Sequence, residues 1–393
     1  MRSPAFHRDP YARELAVTVR PELVDGQPAA WLADTILFPG GGGQPADRGR
    51  LGGVEVTAVE RSDEGFLHRL AAPLPAGPAR LELDWEHRYD LMQQHTAQHL
   101  LTAIALTRFG WRTTAFHLGP ALSDIELDRP AFTAAELAAL EEAVAAEVRA
   151  ARRVSARWVT PEQAAELGVR TRRLPAGHTG DLRVIEIAGL DLATCGGTHL
   201  VSTAEIEVLK LVGTEPMRGG TRLFWLAGGR VRARLGEVAE RLGALRRLFD
   251  SGEPELCEIA ARKLEELAAA GRLTRRLGER LAELEAERLA RAPGPLLELH
   301  LESPPPGGPA ALAAGIVADR PEALAFVTAA AGDGLVFGLA AGDGLALDLA
   351  PLGAEVARTL GGRGGGTGRR FQGKAATATH RAEAIALLGR TLS

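Results

Sequence analysis

His95 and His99 stand four residues apart, and about a hundred residues later Cys195 and His199 repeat the interval. On a helix of 3.6 residues per turn, the first pair presents both imidazoles on one face. The second pair lies in Cys-Gly-Gly-Thr-His, where two glycines let the chain turn a thiolate and an imidazole toward one point. Nitrogen and sulfur donors of borderline softness suit Zn²⁺ rather than Mg²⁺ or Ca²⁺, which take oxygen. An isolated HxxxH is more often a pair of core or surface histidines. Here only ten histidines and two cysteines exist, and four of those twelve fall in two compact pairs. We therefore read His95, His99, Cys195 and His199 as one zinc site. Thr96 follows the first histidine where a zinc protease has glutamate, which disfavours peptide hydrolysis of that type. Four protein ligands describe a closed, structural zinc, whereas a catalytic zinc needs one of them displaceable. Spacing alone leaves both open.

The elements that must position these residues can be read from periodicity. Residues 14–84 alternate apolar with polar, as in LAVTVR, AAWLADTILF, VEVTAVE and ARLELDW, and predict a small β-barrel domain over 1–85. The loop Pro39-Gly40-Gly41-Gly42-Gly43-Gln44-Pro45 lies between its strands. From His87 the period becomes helical, and one amphipathic helix to about Thr107 carries the first histidine pair. A second helix begins near Thr133 with a capping box to Glu136. The strand-like VSARWV, LRVIEI, AEIEVLKLVG and TRLFWLAG follow, so residues 86–229 read as an α+β zinc-binding domain. Residues 230–292 repeat leucine at helical spacing among Glu and Arg, a helical hairpin or coiled coil broken at Ser251-Gly252-Glu253-Pro254. These helices serve as a spacer, a homodimer seam, or both. Residues 293–393 form a C-terminal β/α domain with a second glycine run at 361–368. The fold class is α+β, multidomain.

Composition excludes several alternatives. With 46% hydrophobic and 24% charged residues the chain is globular, and a net charge of −4 gives no global basic field. Nucleic-acid contact then depends on local clusters, Arg170 with Arg172 and Arg173, and Arg363, Arg369, Arg370 with Lys374. The first cluster reads as a solvated face. The second, beside glycines that permit close approach to phosphates, is the better RNA surface. It lacks the GxxxxGK[ST] spacing that would suggest ATP binding. No run of about 18 apolar residues and no signal-like N-terminus occur, which predicts a cytoplasmic protein without membrane contact. Two cysteines are too few for a disulfide framework.

Four ordered segments then carry a resemblance: residues 34–49 with Thr35 and the GGGQ run, 92–101 with HTAQHLL, 195–199 with CGGTH, and 215–229 followed by Arg230. The chain resembles the alanyl-tRNA editing proteins of the AlaX type, in their long form. The leucine-rich helices and the GGRGGG segment are similar to the C-terminal DHH-associated region of alanyl-tRNA synthetase. No aminoacylation core accompanies the editing-like segments, so the expectation is a free-standing editing protein.

The resemblance implies hydrolysis of Ser-tRNA(Ala), and of Gly-tRNA(Ala), at a site where His95, His99, Cys195 and His199 hold Zn²⁺. It implies that Gln44 and Thr35 act at the reacting group, Thr35 by hydrogen-bonding a seryl hydroxyl that alanine lacks. It also implies that Gly41, Gly42, Gly43 and Arg222 contact the substrate. His117 and His178 are candidates to support the ligands. Departures from the family pattern are Gly40 where Glu is common, Gln98 where Thr is usual, and Ala204 and Glu207 where glycines are usual. The competing reading is a non-catalytic tRNA-binding or assembly protein stapled by a closed zinc.

One zinc per chain is the expected metal content of protein purified without chelators, measured by elemental analysis. Less than about a tenth of an equivalent would contradict a tight structural or catalytic site.

Overall fold

The computed structural model describes residues 3–62, 64–171 and 180–392, which form two compact units, Met1–Gly243 and Ala244–Ser393. Arg172, Arg173 and His178 lie outside the described residues.

In the first unit a short helix α1 (Ala5–Arg8) precedes β1 (Glu14–Val24), β2 (Gln27–Leu32), β3 (Gly49–Leu51), β4 (Val54–Ser62), β5 (Gly65–Leu70) and β6 (Gly77–Leu83). The six strands close into a barrel in the order β1-β2-β5-β4-β3-β6. Alternation places Val19, Leu32, Leu51, Val56, Phe66 and Leu81 inside, and the intervening residues face outward. The expected strand AAWLADTILF ends at Leu32. Beyond it Ile36, Leu37 and Phe38 are buried in a loop. Their backbone groups pair with side chains instead of a neighbouring strand: Leu37 N–H with Thr35 Oγ1 at 3.1 Å, Phe38 N–H with Asp47 Oδ2 at 2.5 Å, and the Ile36 carbonyl with Arg88 Nη2 at 2.6 Å. An apolar run thus need not be a strand if side chains satisfy its backbone.

Helix α2 (Trp85–Phe109) starts at Asp84, whose carboxylate accepts the His87 N–H, and stops at Gly110 in the left-handed region. It is not amphipathic as expected. From Leu91 to Ala105 every residue is buried, because α2 is the centre of the unit and is wrapped by the remaining elements. These are β7 (Thr113–Leu118), β8 (Ser123–Leu127), α3 (Ala134–Arg149), β9 (Val154–Val159), α4 (Pro161–Glu166), β10 (Leu182–Ile187), β11 (Asp191–Thr194), a 3₁₀ turn (Thr203–Ile206), β12 (Leu209–Met217) and β13 (Gly220–Ala227). They form an antiparallel sheet β12-β13-β8-β7 and a smaller sheet β11-β10-β9. The capping box at Thr133 and Glu136 is present. Polar side chains of α2 are satisfied internally, as when Gln94 bonds both the N–H and the carbonyl of Ala227.

Helix α5 (Gly229–Phe249) follows, and the chain breaks over 250–255 where the sequence predicts it. The second unit continues with α6 (Leu256–Ala290), β14 (Leu296–Leu301), α7 (Gly308–Val317), β15 (Leu324–Ala331), β16 (Gly334–Ala341), α8 (Leu349–Thr359), β17 (Gly362–Thr367), β18 (Arg370–Ala375) and α9 (Arg381–Thr391). Its sheet runs β14-β15-β16-β18-β17, with β14 and β15 parallel and the other pairs antiparallel. The leucine pattern of α5 and α6 buries no seam in a single chain: Leu235, Val238, Leu248, Leu267 and Leu277 are all more than 40% exposed. Among the described residues no helix is long and apolar enough to cross a membrane.

Arg88 and Asp47 form a completely buried ion pair. Removing one partner of such a pair leaves an uncompensated charge and destabilises by about 3–5 kcal/mol. Arg88→Met is expected to destabilise the first unit by that amount in urea unfolding followed by tryptophan fluorescence, since all five tryptophans lie within 1–243. A loss below about 1 kcal/mol would contradict the role assigned to the pair.

Candidate metal centre and active site

Helix α2 brings His95 and His99 to one side, and the turn after β11 brings Cys195 and His199 to meet them. One donor atom from each of the four lies within 4.8 Å of every other. Cys195 Sγ is 3.3 Å from both His95 Nε2 and His199 Nε2. The edge of a zinc tetrahedron with these donors is roughly 3.3–3.6 Å. Each Nδ1 is turned away toward an oxygen of another residue, as metal-binding imidazoles require. His95 Nδ1 meets Gln44 Oε1 at 2.7 Å, His199 Nδ1 meets Thr96 Oγ1 at 3.3 Å, and His99 Nδ1 faces Asp191 Oδ2 at 3.8 Å. Burial opposes ionisation of the Cys195 thiol, but the imidazoles of His95 and His199 outweigh it and hold the thiol well below its usual range. His199 is pushed down by its own burial and by His95. A thiolate among imidazoles, pre-oriented, fits Zn²⁺.

The ligand turn is itself clamped. Buried Arg183 on β10 donates through Nη1 to the carbonyls of Cys195 (2.9 Å) and Gly197 (2.7 Å), and His7 Nε2 donates to the carbonyl of Gly196 at 2.7 Å. Three successive carbonyls are thereby fixed. Burial lowers Arg183 to about 10, so it stays charged at neutral pH. Burial, aided by Arg183, lowers His7 to about 4, so it stays neutral.

A cavity of about 910 Å³ opens onto this centre. His99 and Cys195 are in its wall, with Gln98, residues 40–42 and His7, whereas His95 and His199 are behind. All four of Gly40, Gly41, Gly42 and Gly43 have positive φ, a conformation that side-chain-bearing residues rarely adopt. Gln98 is 2% exposed, and its Oε1 has no partner while its Nε2 donates to Thr102 Oγ1 at 2.8 Å. A buried acceptor at a cavity wall is waiting for a donor. Gln98, His7 and Arg183 belong to the site without any motif in the sequence assigning them to it. Gln98 was signalled only as a departure between the two histidines, and the other two carried no signal.

Three expected site residues, Gln44, Thr35 and Arg222, are placed differently. Gln44 is 3% exposed and its amide is tied at both ends: Nε2 donates to Thr198 Oγ1 (2.8 Å), and Oε1 accepts from Thr198 N–H (2.9 Å) as well as facing His95. It holds His95 from behind and is not in the cavity wall. Thr35 is fully buried and does not line the cavity. Its hydroxyl meets His68 Nε2 at 2.9 Å and accepts the Leu37 N–H, so it is engaged inside the barrel loop and does not reach the cavity where a seryl hydroxyl would lie. Arg222 is ion-paired with Glu126 (2.7 Å), Asp124 (3.3 Å) and Glu215 (3.9 Å) and is not in the cavity wall. His117 pairs with Asp124 at 2.9 Å, away from the ligands' own partners.

Comparison with known proteins now bears on the site. Residues 182–224, which include Cys195 and His199, match the family described as the threonyl and alanyl tRNA synthetase second additional domain. The chain is 36% identical to alanyl-tRNA editing protein Aarsd1 of Mus musculus, across 97% of this chain and 96% of that protein. It is 34% identical to Aarsd1-B of Xenopus laevis, across 99% and 98%. The chain belongs to the alanyl-tRNA editing protein family. An alanine–tRNA ligase of Pyrobaculum neutrophilum is 31% identical across 94% of this chain and 42% of its own length. A quarter of the chain also matches the C-Ala domain of Aquifex aeolicus alanyl-tRNA synthetase, with a TM-score of 0.24 and 24% identity over 90% of that domain.

In the second unit of this family member, Arg363 and Lys374 face each other across β17 and β18 and line a smaller cavity beside Gly365 and Gly373. Arg370 is exposed on β18. Arg369 is not part of that surface: its guanidinium is bonded to the carbonyls of Gly342, Asp343 and Leu345.

Gly197 packs so closely that an added Cβ would lie 2.3 Å from His95 Cε1 and 2.5 Å from Gln44 Oε1. Gly197→Ala is therefore expected to weaken zinc binding about 10–100-fold in chelator competition, the usual effect of disturbing a ligand's support. Gly196→Ala, whose Cβ meets nothing within 4 Å, should keep its metal. Equal zinc affinity in the two variants would refute the packing argument.

Proposed function

We propose that the protein hydrolyses, in trans, the ester of Ser-tRNA(Ala), with Gly-tRNA(Ala) as a second substrate, at a zinc centre held by His95, His99, Cys195 and His199. The observation that carries this reading is the cavity whose wall includes two of the four donor residues. A zinc that only stapled the fold would need no such access. When bound, the metal supplies Lewis-acid polarisation of a carbonyl or a fixed charge that orients the aminoacyl group.

The chain's own residues do the rest. An aminoacyl ester is already reactive, so holding it in place and excluding water account for much of the rate. The glycine loop at 40–42 brings backbone close to the bound acyl group. Gln98 Oε1, buried and without a partner, accepts a hydrogen bond from the aminoacyl moiety. A seryl hydroxyl satisfies such an acceptor and an alanyl methyl does not, which favours clearance of serine over alanine. Neutral His7 holds the turn that carries Cys195. In the second unit, Arg363, Arg370 and Lys374 supply positive charge for the tRNA backbone, where Gly364, Gly365 and Gly366 remove side chains from the approach. The exposed leucines of α6 are the surface on which a homodimer would form.

Deacylation of Ser-, Gly- and Ala-tRNA(Ala) tests the reading. Wild type should clear the seryl ester and spare the alanyl one. Cys195→Ala should lose at least about 100-fold and Gln44→Ala about 10–100-fold of the rate, the latter through misplacement of His95. Binding of tRNA with all three esters left intact would leave only the zinc-stapled binding protein.

A further inference from the structure

Trp158 stands apart from every other aromatic residue of the chain. The remaining Phe, Tyr and Trp side chains are buried or half-buried, whereas Trp158 is 48% exposed. It lies on β9, the edge strand of the smaller sheet, directly opposite Arg183 in the antiparallel register. Directly opposed residues project to the same side of a sheet. Arg183 is the side chain that grips the carbonyls of Cys195 and Gly197, so the indole is mounted beside the ligand turn. Its ring centroid is 6.0 Å from that of His7, with the planes 64° apart, and both residues are in the cavity wall. His7 supports the indole by its edge. Arg61, Arg112 and Arg170 are in the same wall.

Leaving a tryptophan half in water on an edge strand forgoes the stabilisation of burying it and invites non-specific contact. An indole beside arginines in a cavity is the arrangement by which proteins hold unpaired nucleotides, the aromatic face taking a base and the cations the phosphates. We propose that Trp158 is the stacking platform for a base of the unpaired 3′ end of the RNA whose terminal ribose carries the ester. This rests on the aminoacyl-tRNA reading of the cavity, and it adds the residue that orients the nucleotide. No base-specific hydrogen bond is required, because every base offers a π face. The contact therefore measures the presence of an unpaired end and not its sequence.

The test is a binding cycle on the full-length protein with uncharged RNA, so that no ester need be cleaved. Two acceptor-stem hairpins of tRNA(Ala) are compared by fluorescence anisotropy, one with its unpaired 3′ end and one blunt. In wild type the unpaired end should add about ten-fold or more in affinity, the size of one base–aromatic stack. Trp158→Ala should bind the blunt hairpin as wild type does and gain nothing from the unpaired end, while Trp158→Phe keeps most of the gain. The proposal is overturned if Trp158→Ala retains the gain, or if it loses affinity equally for both hairpins. Failure of the hydrolase reading looks different: the cycle would show the Trp158-dependent gain while Ser-tRNA(Ala) stayed intact. Conversely, efficient deacylation with kcat/KM unchanged in Trp158→Ala would sink the stacking role alone.

Discussion

A guanidinium with no exposure to water must find an acceptor for each of its N–H groups inside the protein, and the way Arg88 does so organises the first unit. It is held by Asp47, by the Ile36 carbonyl at 2.6 Å and by the Pro10 carbonyl at 2.8 Å. Asp47 in turn takes the Phe38 N–H. The whole loop over 33–48 is thereby fastened to α2. Seven residues along that helix, two turns and so on nearly the same face, His95 meets Gln44 of the same loop. Asp47 to Arg88 and Gln44 to His95 form a two-point clamp between one loop and one helix face. Thr198, bonded to both ends of the Gln44 amide, adds a third point from the ligand turn. The placing of His95 among the four candidate donors thus draws on a buried charge pair two helix turns away.

The same logic of satisfied groups separates positioning from reaction. Gln44 and Arg183 are rich in hydrogen-bonding capacity, yet Gln44 uses its amide on Thr198 and His95, and Arg183 spends its Nη1 on the turn carbonyls. Gln98 is the contrasting case, an amide with one end tied to Thr102 and the other unpaired. Burying an unpaired acceptor costs about 1–3 kcal/mol, which a folded protein tolerates most readily where a ligand is to supply the missing donor.

Much of this was legible from the chain, for reasons that can be stated. The four donors were readable because helix pitch fixes where i and i+4 point, and because histidine and cysteine are scarce here. The barrel strands and the Thr133 capping box followed from local chemistry. What sequence could not convey is which polar groups are consumed by neighbours distant in the chain. Thr35, Arg222 and Arg369 all look available on paper and are all bonded within the fold to His68, to a carboxylate cluster, and to loop carbonyls. Strand parity would place Trp158 with buried Val154, two pairs away on the same face, so its exposure is a property of the sheet edge and not of the local pattern. The leucines of α5 and α6 carry helical spacing faithfully, but spacing does not say whether the stripe is covered within one chain.

The arrangement of supports around the centre bears on whether four ligands leave room for a substrate. The two histidines behind the wall are held through Nδ1 at 2.7 and 3.3 Å by groups that are themselves buried, Gln44 and Thr96. His99, in the wall, has only Asp191 at 3.8 Å, beyond hydrogen-bond range, and that carboxylate is already bidentate to Arg170. Among the three histidines, support is thus firmest on the two away from the cavity and weakest on the one facing it. A structural staple gains from fixing all four ligands alike, since any loose one weakens the fold. A centre that must admit an ester gains from one ligand that can yield. The gradient of support from Gln44 to Asp191 has the form of the second kind, with His99 the least supported of the candidate imidazole donors and the one that faces the cavity.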